Sequence, residues 1–189
     1  GAPDIAQVII LDTANSPLLA DAALSVAENS ANGTQVAGAL PSAPGVTYAI
    51  LSGNTSGAFR TDGSGALFVD NSAVLNFEAA PVFTLLVEAR AENGSSDVAT
   101  WTVNLQDQNE PPQFTAQTRS VAENSSNGTA VGARLAASDP EHNPITFTLT
   151  STIFDITVDG QLRVKDGSQL DFEAKKQHSA SVTVTDSAG

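Results

Sequence analysis

The hexapeptide Ser25-Val-Ala-Glu-Asn-Ser30 returns unchanged as Ser120-Val-Ala-Glu-Asn-Ser125, 95 residues further on. The same shift holds downstream. Asn32-Gly33-Thr34 matches Asn127-Gly128-Thr129, and Gly65-x-Leu67-x-Val69 matches Gly160-x-Leu162-x-Val164. Leu75-Asn76-Phe77-Glu78 matches Leu170-Asp171-Phe172-Glu173. Aligned without gaps, residues 24–94 and 119–189 share 24 identities in 71 positions, and chance in this composition gives well under half of that. Self-similarity at one fixed period means two copies of one module rather than one larger domain.

Each copy reads as all-β. Apolar and polar residues alternate over 84–89, 99–105 and 179–185, the pattern of half-buried strands. Turn dipeptides stand between such runs: Asn32-Gly33, Gly53-Asn54, Asp62-Gly63, Asn93-Gly94, Asp159-Gly160 and Asp166-Gly167, each suited to a tight reversal. No segment carries a sustained helical stripe. Short strands in a unit of about 100 residues predict a seven-stranded sandwich. The copies join at Asp107-Gln-Asn-Glu-Pro-Pro112, where two prolines predict a short, stiff linker over 107–112.

Shifting the linker back by 95 places Asp107 on Asp12 and Pro112 on Pro17, with Val103 and Leu105 on Val8 and Ile10. Residues 1–11 therefore read as a strand remnant of a preceding repeat. The first module is expected over 12–106 and the second over 107–189, with its last strand missing. An open edge is a template for another strand. Residues 5–11 of one molecule would fill that edge in another, giving a strand-exchanged dimer or chain; the other reading is a frayed tail and a short edge strand.

Composition removes several function classes. The chain has 189 residues, 21 acidic against 8 basic side chains, and a formal charge of -13. Phosphate recognition and docking on anionic lipid both need a basic face, so neither nucleic acid nor a membrane surface is expected as a partner. No apolar run nears the ~20 residues that span a bilayer. Hydrophobic residues make up 41%, enough for a core rather than a disordered acidic tail. With no cysteine, disulfides and thiolate chemistry are out. No phosphate-cradling loop, His-Glu-x-x-His or Gly-x-Ser-x-Gly occurs, and no enzymatic activity is expected. Trp101 shares strand parity with Val103 and Leu105 and is predicted to be core.

The remaining question is what balances the carboxylates. Glu28, Asn76 and Glu78 in the first copy, Asp107, Asn109 and Glu110 in the linker, and Asp139, Glu141, Asn143 and Asp186 in the second copy all offer oxygen, the donor that hard cations prefer. Singly each reads as a solvated loop residue or a turn former. Together seven acidic groups (Glu28, Glu78, Asp107, Glu110, Asp139, Glu141, Asp186) stand around one junction and would repel one another without cations.

Here the sequence resembles a family. Ala-Glu-Asn, Asn-Phe-Glu (Asp-Phe-Glu in the second copy), Asp-Gln-Asn-Glu-Pro-Pro and Asp-Pro-Glu look like the ordered calcium motifs of cadherin repeats. The linker form is more similar to bacterial cadherin-like repeats than to animal ones. The resemblance implies two tandem Greek-key β-sandwiches, immunoglobulin-like and cadherin-type, joined by a short calcium-binding linker. It implies up to three Ca2+ ions at the junction. The outermost would use Glu28, Asn76, Glu78 and Glu110. The middle ion would share Glu28, Glu78 and Glu110, reach Glu141 and take the backbone oxygen of Gln108. The innermost would use Asn109, Asp139, Glu141, Asn143, Asp186 and the backbone of Pro111. Asn76 replaces a customary Asp, Glu110 and Glu141 are one methylene longer than the usual Asp, and Pro111 replaces Asn. Glu123, Asp171 and Glu173 repeat the base set as an incomplete second site.

The function this implies is a calcium-rigidified pair of extracellular modules acting in adhesion or recognition, within a larger secreted bacterial protein. Partners would be other cadherin-like modules, homotypic or heterotypic. Two alternatives stay open: a carbohydrate-binding module that takes polysaccharide in a secreted degrading system, and a passive spacer in a large adhesin. Aromatics at 5% are thin for sugar stacking, though calcium-mediated sugar binding needs none.

Overall fold

Alternating apolar residues put one face of each strand against a second layer, and the backbone follows that pattern. The computed structural model describes residues 17–38 and 43–188. The expected strand remnant at 1–11, and with it the pairing segment 5–11, lies outside the described residues. The chain divides into two compact units, one ending at Gln108 and the other beginning at Asn109.

The first unit holds β1 (Ala22–Ala27), β2 (Val46–Ser52), β3 (Phe59–Thr61), β4 (Leu67–Val69), β5 (Val82–Ala91) and β6 (Ser96–Gln106). One sheet has the order β1-β6-β5-β2, parallel between β1 and β6 and antiparallel elsewhere. Every second side chain of β5 and β6 turns inward: Phe83, Leu85, Val87 and Ala89, then Ala99, Trp101, Val103 and Leu105 are buried. The β3–β4 hairpin lays Phe59, Leu67 and Val69 over them in the same core, with Phe59 edge-on to Phe83 at 5.2 Å. This is an all-β sandwich, two layers closed around one apolar interior. Trp101 is fully buried, as its parity predicts.

Gly53 shows how closely the layers pass. It has a φ of +81°, and a Cβ there would stand 1.9 Å from the carbonyl oxygen of Thr84. A backbone oxygen in a ladder cannot swing aside, and φ in this range strains any L residue. Gly53→Ala should therefore destabilise the first unit by about 2 kcal/mol. Denaturant unfolding followed by Trp101 fluorescence checks this; an unshifted midpoint would contradict it.

The second unit holds β7 (Thr146–Thr150), β8 (Phe154–Ile156), β9 (Leu162–Val164) and β10 (Ser181–Thr185). β8 and β9 form a hairpin, and both fall 95 residues after β3 and β4. The single 3-10 turns Ser72–Val74 and Gly167–Gln169 keep the same spacing. Asn71 and Asp166 open them alike, each side chain accepting the N–H two residues on. Gly167 is required by close approach, since a Cβ would lie 2.1 Å from the Ser125 carbonyl oxygen. Val131, Val164 and Leu170 form the buried cluster. β10 alternates like β5 but is less buried. β5 lies between β2 and β6, whereas β10 pairs with β7 alone among the described residues.

The ladders correct the ungapped alignment at one place. Tyr48 and Ile50 face Ala89 and Val87, while Phe147 and Leu149 face Val184 and Val182. Ala89 and Val184 are 95 apart, so Tyr48 corresponds to Phe147 at a spacing of 99. The second copy thus carries four extra residues before β7 and four fewer after it. The identities at Ile50 and Thr55 are coincidental. The longer stretch is the one that contains Asp139-Pro-Glu-His-Asn143.

Candidate metal centres

In the first unit the site is built around Glu28, which is only 2% exposed. Its N–H donates to the Gln106 carbonyl at 3.0 Å, extending the β1–β6 ladder by one residue. Asn29 then takes a left-handed φ of 56°, a conformation Asn tolerates better than most residues, and its N–H reaches the Leu75 carbonyl at 3.2 Å. That turn drives the Glu28 side chain inward. Oε2 accepts the Phe77 N–H at 2.7 Å and Oε1 the Gln108 N–H at 2.9 Å. The glutamate of Ala-Glu-Asn thus ties β1, the Asn-Phe-Glu loop and the segment after β6 together, and the asparagine makes the bend.

Carboxylate oxygens of Glu28, Glu78 and Asp107 lie within 4.8 Å of one another. Glu78 and Asp107 are exposed. Asn76 shapes the loop, its Oδ1 accepting the Ala79 N–H at 2.7 Å. The Gln108 side chain donates to the Asp107 carbonyl. Three negative charges at such separations repel by close to 1 kcal/mol per pair even at the dielectric of water. The ion pairs among the described residues are Arg60–Asp70, Arg90–Glu88 and Arg134–Asp159, so none of them neutralises this group.

The second unit gathers a separate set. Asp139 is 8% exposed. Its Oδ1 accepts the Asn143 N–H at 2.8 Å, across a loop closed by His142 at a φ of 61°. Asn143 Nδ2 donates to Asn109 Oδ1 at 2.9 Å, and Asn109 Nδ2 donates to Asp186 Oδ2 at 2.9 Å. The Glu110 N–H reaches Glu141 Oε2 at 3.3 Å. These bonds join Asp139, Asn143, Asn109 and Asp186 into one set and Glu110 with Glu141 into another within this unit; Pro111 is exposed.

Two oxygens test whether a cation suits this set. Asp139 Oδ2 and Glu141 Oε1 are buried and accept no hydrogen bond. A carboxylate oxygen out of water without a donor is unfavourable unless a cation or a proton meets it. Hydrogen bonding with the Glu110 side chain, foremost, holds the Glu141 carboxyl below its ordinary range. Donors that are all carboxylate, amide and carbonyl oxygen fit a hard divalent ion such as calcium, and nothing in the set suits a softer metal.

The third group, Glu123, Asp171 and Glu173, also brings its carboxylate oxygens within 4.8 Å of one another. The scaffold is the same as around Glu28. The Phe172 N–H donates to Glu123 Oε2 at 3.0 Å, and Ala174 donates to Asp171 Oδ1 at 2.9 Å. Asn124 has a φ of 57°. All three acids are exposed.

What sequence reading passed over is the part played by backbone groups. The N–H groups of Phe77, Phe172 and Gln108 orient the glutamates, and the left-handed turns at Asn29, Asn124 and His142 aim the loops. The phenylalanine inside both Asn/Asp-Phe-Glu motifs was the one available signal, and what it marks is a backbone donor.

No family model matches the chain. Over 153 residues, 74% of the chain, it is 35% identical to protocadherin Fat 2 of the mouse. It is 34% identical to the rat protein over the same length. The match spans 3% of the length of each of these curated relatives. Among solved structures, extracellular cadherin domains 3–6 of protocadherin gamma B2 match 88% of the chain, over 41% of their own length, with a TM-score of 0.61 and 20% identity. The ectodomain of human desmocollin-1 matches 93%, over 38% of its own length, with a TM-score of 0.55 and 22% identity. At such identity the structural likeness speaks to fold: this chain has the cadherin-domain fold.

Proposed function

We propose that the chain is a pair of cadherin-like modules, 12–106 and 107–189, stiffened by calcium and working outside the cell in adhesion or recognition. The observation that carries this reading is the buried Glu28. It is held by two backbone donors beside Glu78 and Asp107, with none of the described ion pairs to offset their charge. Up to three ions would be held. Glu28, Asn76, Glu78, Asp107 and Glu110, with the Gln108 carbonyl, would serve the outer positions. Asn109, Asp139, Glu141, Asn143 and Asp186, with the Pro111 carbonyl, would serve the inner one. Asn76 contributes no charge, so the outermost position would be the weakest.

Calcium would supply positive charge and coordination, and no reaction. Sharing ligands from both sides of the 107–112 linker would fix the angle between the modules, while each sandwich would keep its own core. Three ions would bring the net charge from -13 to -7. The linker form Asp-x-Asn-Glu-x-Pro supports a bacterial parent protein, and the ion requirement supports a calcium-rich extracellular setting. Among the described residues no helix is long and apolar enough to cross a membrane. Relatives named as protocadherins support other cadherin-like modules as partners.

Small-angle scattering in calcium and in chelator tests this. One well-defined particle is expected with the ion, and a broader spread of intermodule distances without it, at unchanged circular dichroism. Superimposable profiles would contradict it.

A further inference from the structure

β1 and β6 are the first and last strands of the first unit, and they form the parallel pair of its four-stranded sheet. Their register runs from Ala22↔Trp101 to Ala27↔Gln106. The chain therefore enters this seam at the Ala22 end and leaves it at the Gln106 end. Bonds outside the ladder lengthen the seam both ways. On the entry side the Leu19 N–H donates to Asp97 Oδ2 at 2.9 Å, and the Thr100 N–H to Asp21 Oδ1 at 2.8 Å. Midway, Asn104 Nδ2 donates to the Leu24 carbonyl at 3.3 Å. On the exit side the Glu28 N–H meets the Gln106 carbonyl at 3.0 Å, and Glu28 Oε1 accepts the Gln108 N–H at 2.9 Å. From Leu19 to Glu28 the incoming segment is thus bonded to the outgoing one, and Leu24 and Val26 bury their side chains beneath it.

We infer that this seam is a mechanical clamp, which tension passing along the chain loads in shear. A pull from the two ends drags β1 and β6 past each other along their common direction. Every bond in the seam is then strained at once, and it yields only when they fail together. With antiparallel terminal strands, entry and exit would lie at the same end, and the same pull would open the pairs one by one. Each hydrogen bond contributes only about 0.5–1.5 kcal/mol net, so strength under load comes from simultaneous loading and not from any single bond. Forced unfolding is governed by the rate of leaving the native state. Shear places the whole seam, with the burial of Leu24 and Val26, in the barrier to that step. Asp21 and Asp97, which belong to none of the candidate metal sites, gain a role here: they carry the seam beyond the start of β1. Such a clamp suits an adhesive module and a spacer alike, and none of its bonds requires an ion.

Single-molecule pulling on the full chain in two directions tests this. The chain contains no cysteine, so introduced thiols fix where the handles attach. Leu18→Cys with Gln106→Cys pulls the seam in shear. Leu18→Cys with Ser96→Cys pulls the same two strands apart from the Ala22 end. All three positions are exposed, none is a candidate metal ligand, and the emission of Trp101, the one tryptophan, shows that each variant is folded. At one loading rate the shear pair is expected to rupture at a severalfold higher force than the peeling pair. Equal forces in the two directions, or a weaker shear pair, would overturn the inference. The contrast is expected in calcium and in chelator alike, so its failure leaves the calcium reading standing, and the converse holds.

Discussion

Glu28→Gln will bind calcium about 100-fold more weakly than the unaltered chain, a loss of about 2.7 kcal/mol. The substitution keeps the shape of the side chain and removes one charge. It also turns one of the two accepting oxygens into a donor, so either the Phe77 or the Gln108 N–H, now bonded at 2.7 and 2.9 Å, loses its acceptor. Without calcium two effects oppose each other. The lost hydrogen bond to a charged group costs about 1.5–3 kcal/mol. Relief of repulsion from Glu78 and Asp107 returns close to 2 kcal/mol. The apo variant should therefore melt close to the apo parent. With calcium present the parent gains stability by mass action, about 2.7 kcal/mol at one hundred times its dissociation constant, and the variant gains almost none. Thermal melts of both proteins with and without calcium separate the cases. Equal calcium-induced shifts would mean Glu28 is a structural acceptor and no more.

Trp101→Ala will cost the first unit about 4 kcal/mol. The indole is fully buried and lies 6.5 Å from the Tyr48 ring, tilted by 31°. Strands on both sides of β6 limit how far the site can collapse, so most of the cavity would remain. In a unit of this size the loss should lower the melting temperature by about 15–30 °C. Trp101→Phe should be far milder. Nε1 makes no hydrogen bond, so the tryptophan already carries the cost of an unpaired buried donor, about 1–3 kcal/mol. Phenylalanine removes that cost while leaving a smaller void. Calorimetric unfolding of the three proteins gives the ordering; a Phe variant as unstable as the Ala variant would show that the donor is satisfied in solution.

Much of this was legible in the residues. The repeat that begins at Ser25-Val-Ala-Glu-Asn-Ser30 marked the two hairpins β3–β4 and β8–β9, 95 residues apart, and parity along 99–105 put Trp101 inside. The acids that gather around Glu28 and around Asp139 are those whose motifs stand in family order. What the sequence hid was backbone geometry. Glu28 takes a second donor, the Gln108 N–H beyond β6, which no motif around the glutamate announces. The unpaired oxygens of Asp139 and Glu141 depend on a loop turned by His142, whose left-handed backbone no composition rule announces. The four-residue shift at Tyr48 and Phe147 escaped because the later deletion restores the spacing to 95, and two chance identities mask the slip. Pairing along a ladder reveals such a shift, and counting matches does not.

The most direct measurement is equilibrium dialysis of the full chain against calcium at physiological ionic strength, with bound ions counted per chain. The account predicts saturable binding of more than one ion and up to three, at least one of them lost in Glu28→Gln. Bound calcium that rises without saturating, as a diffuse counterion cloud around -13 charges would, and that is unchanged by Glu28→Gln, would contradict it.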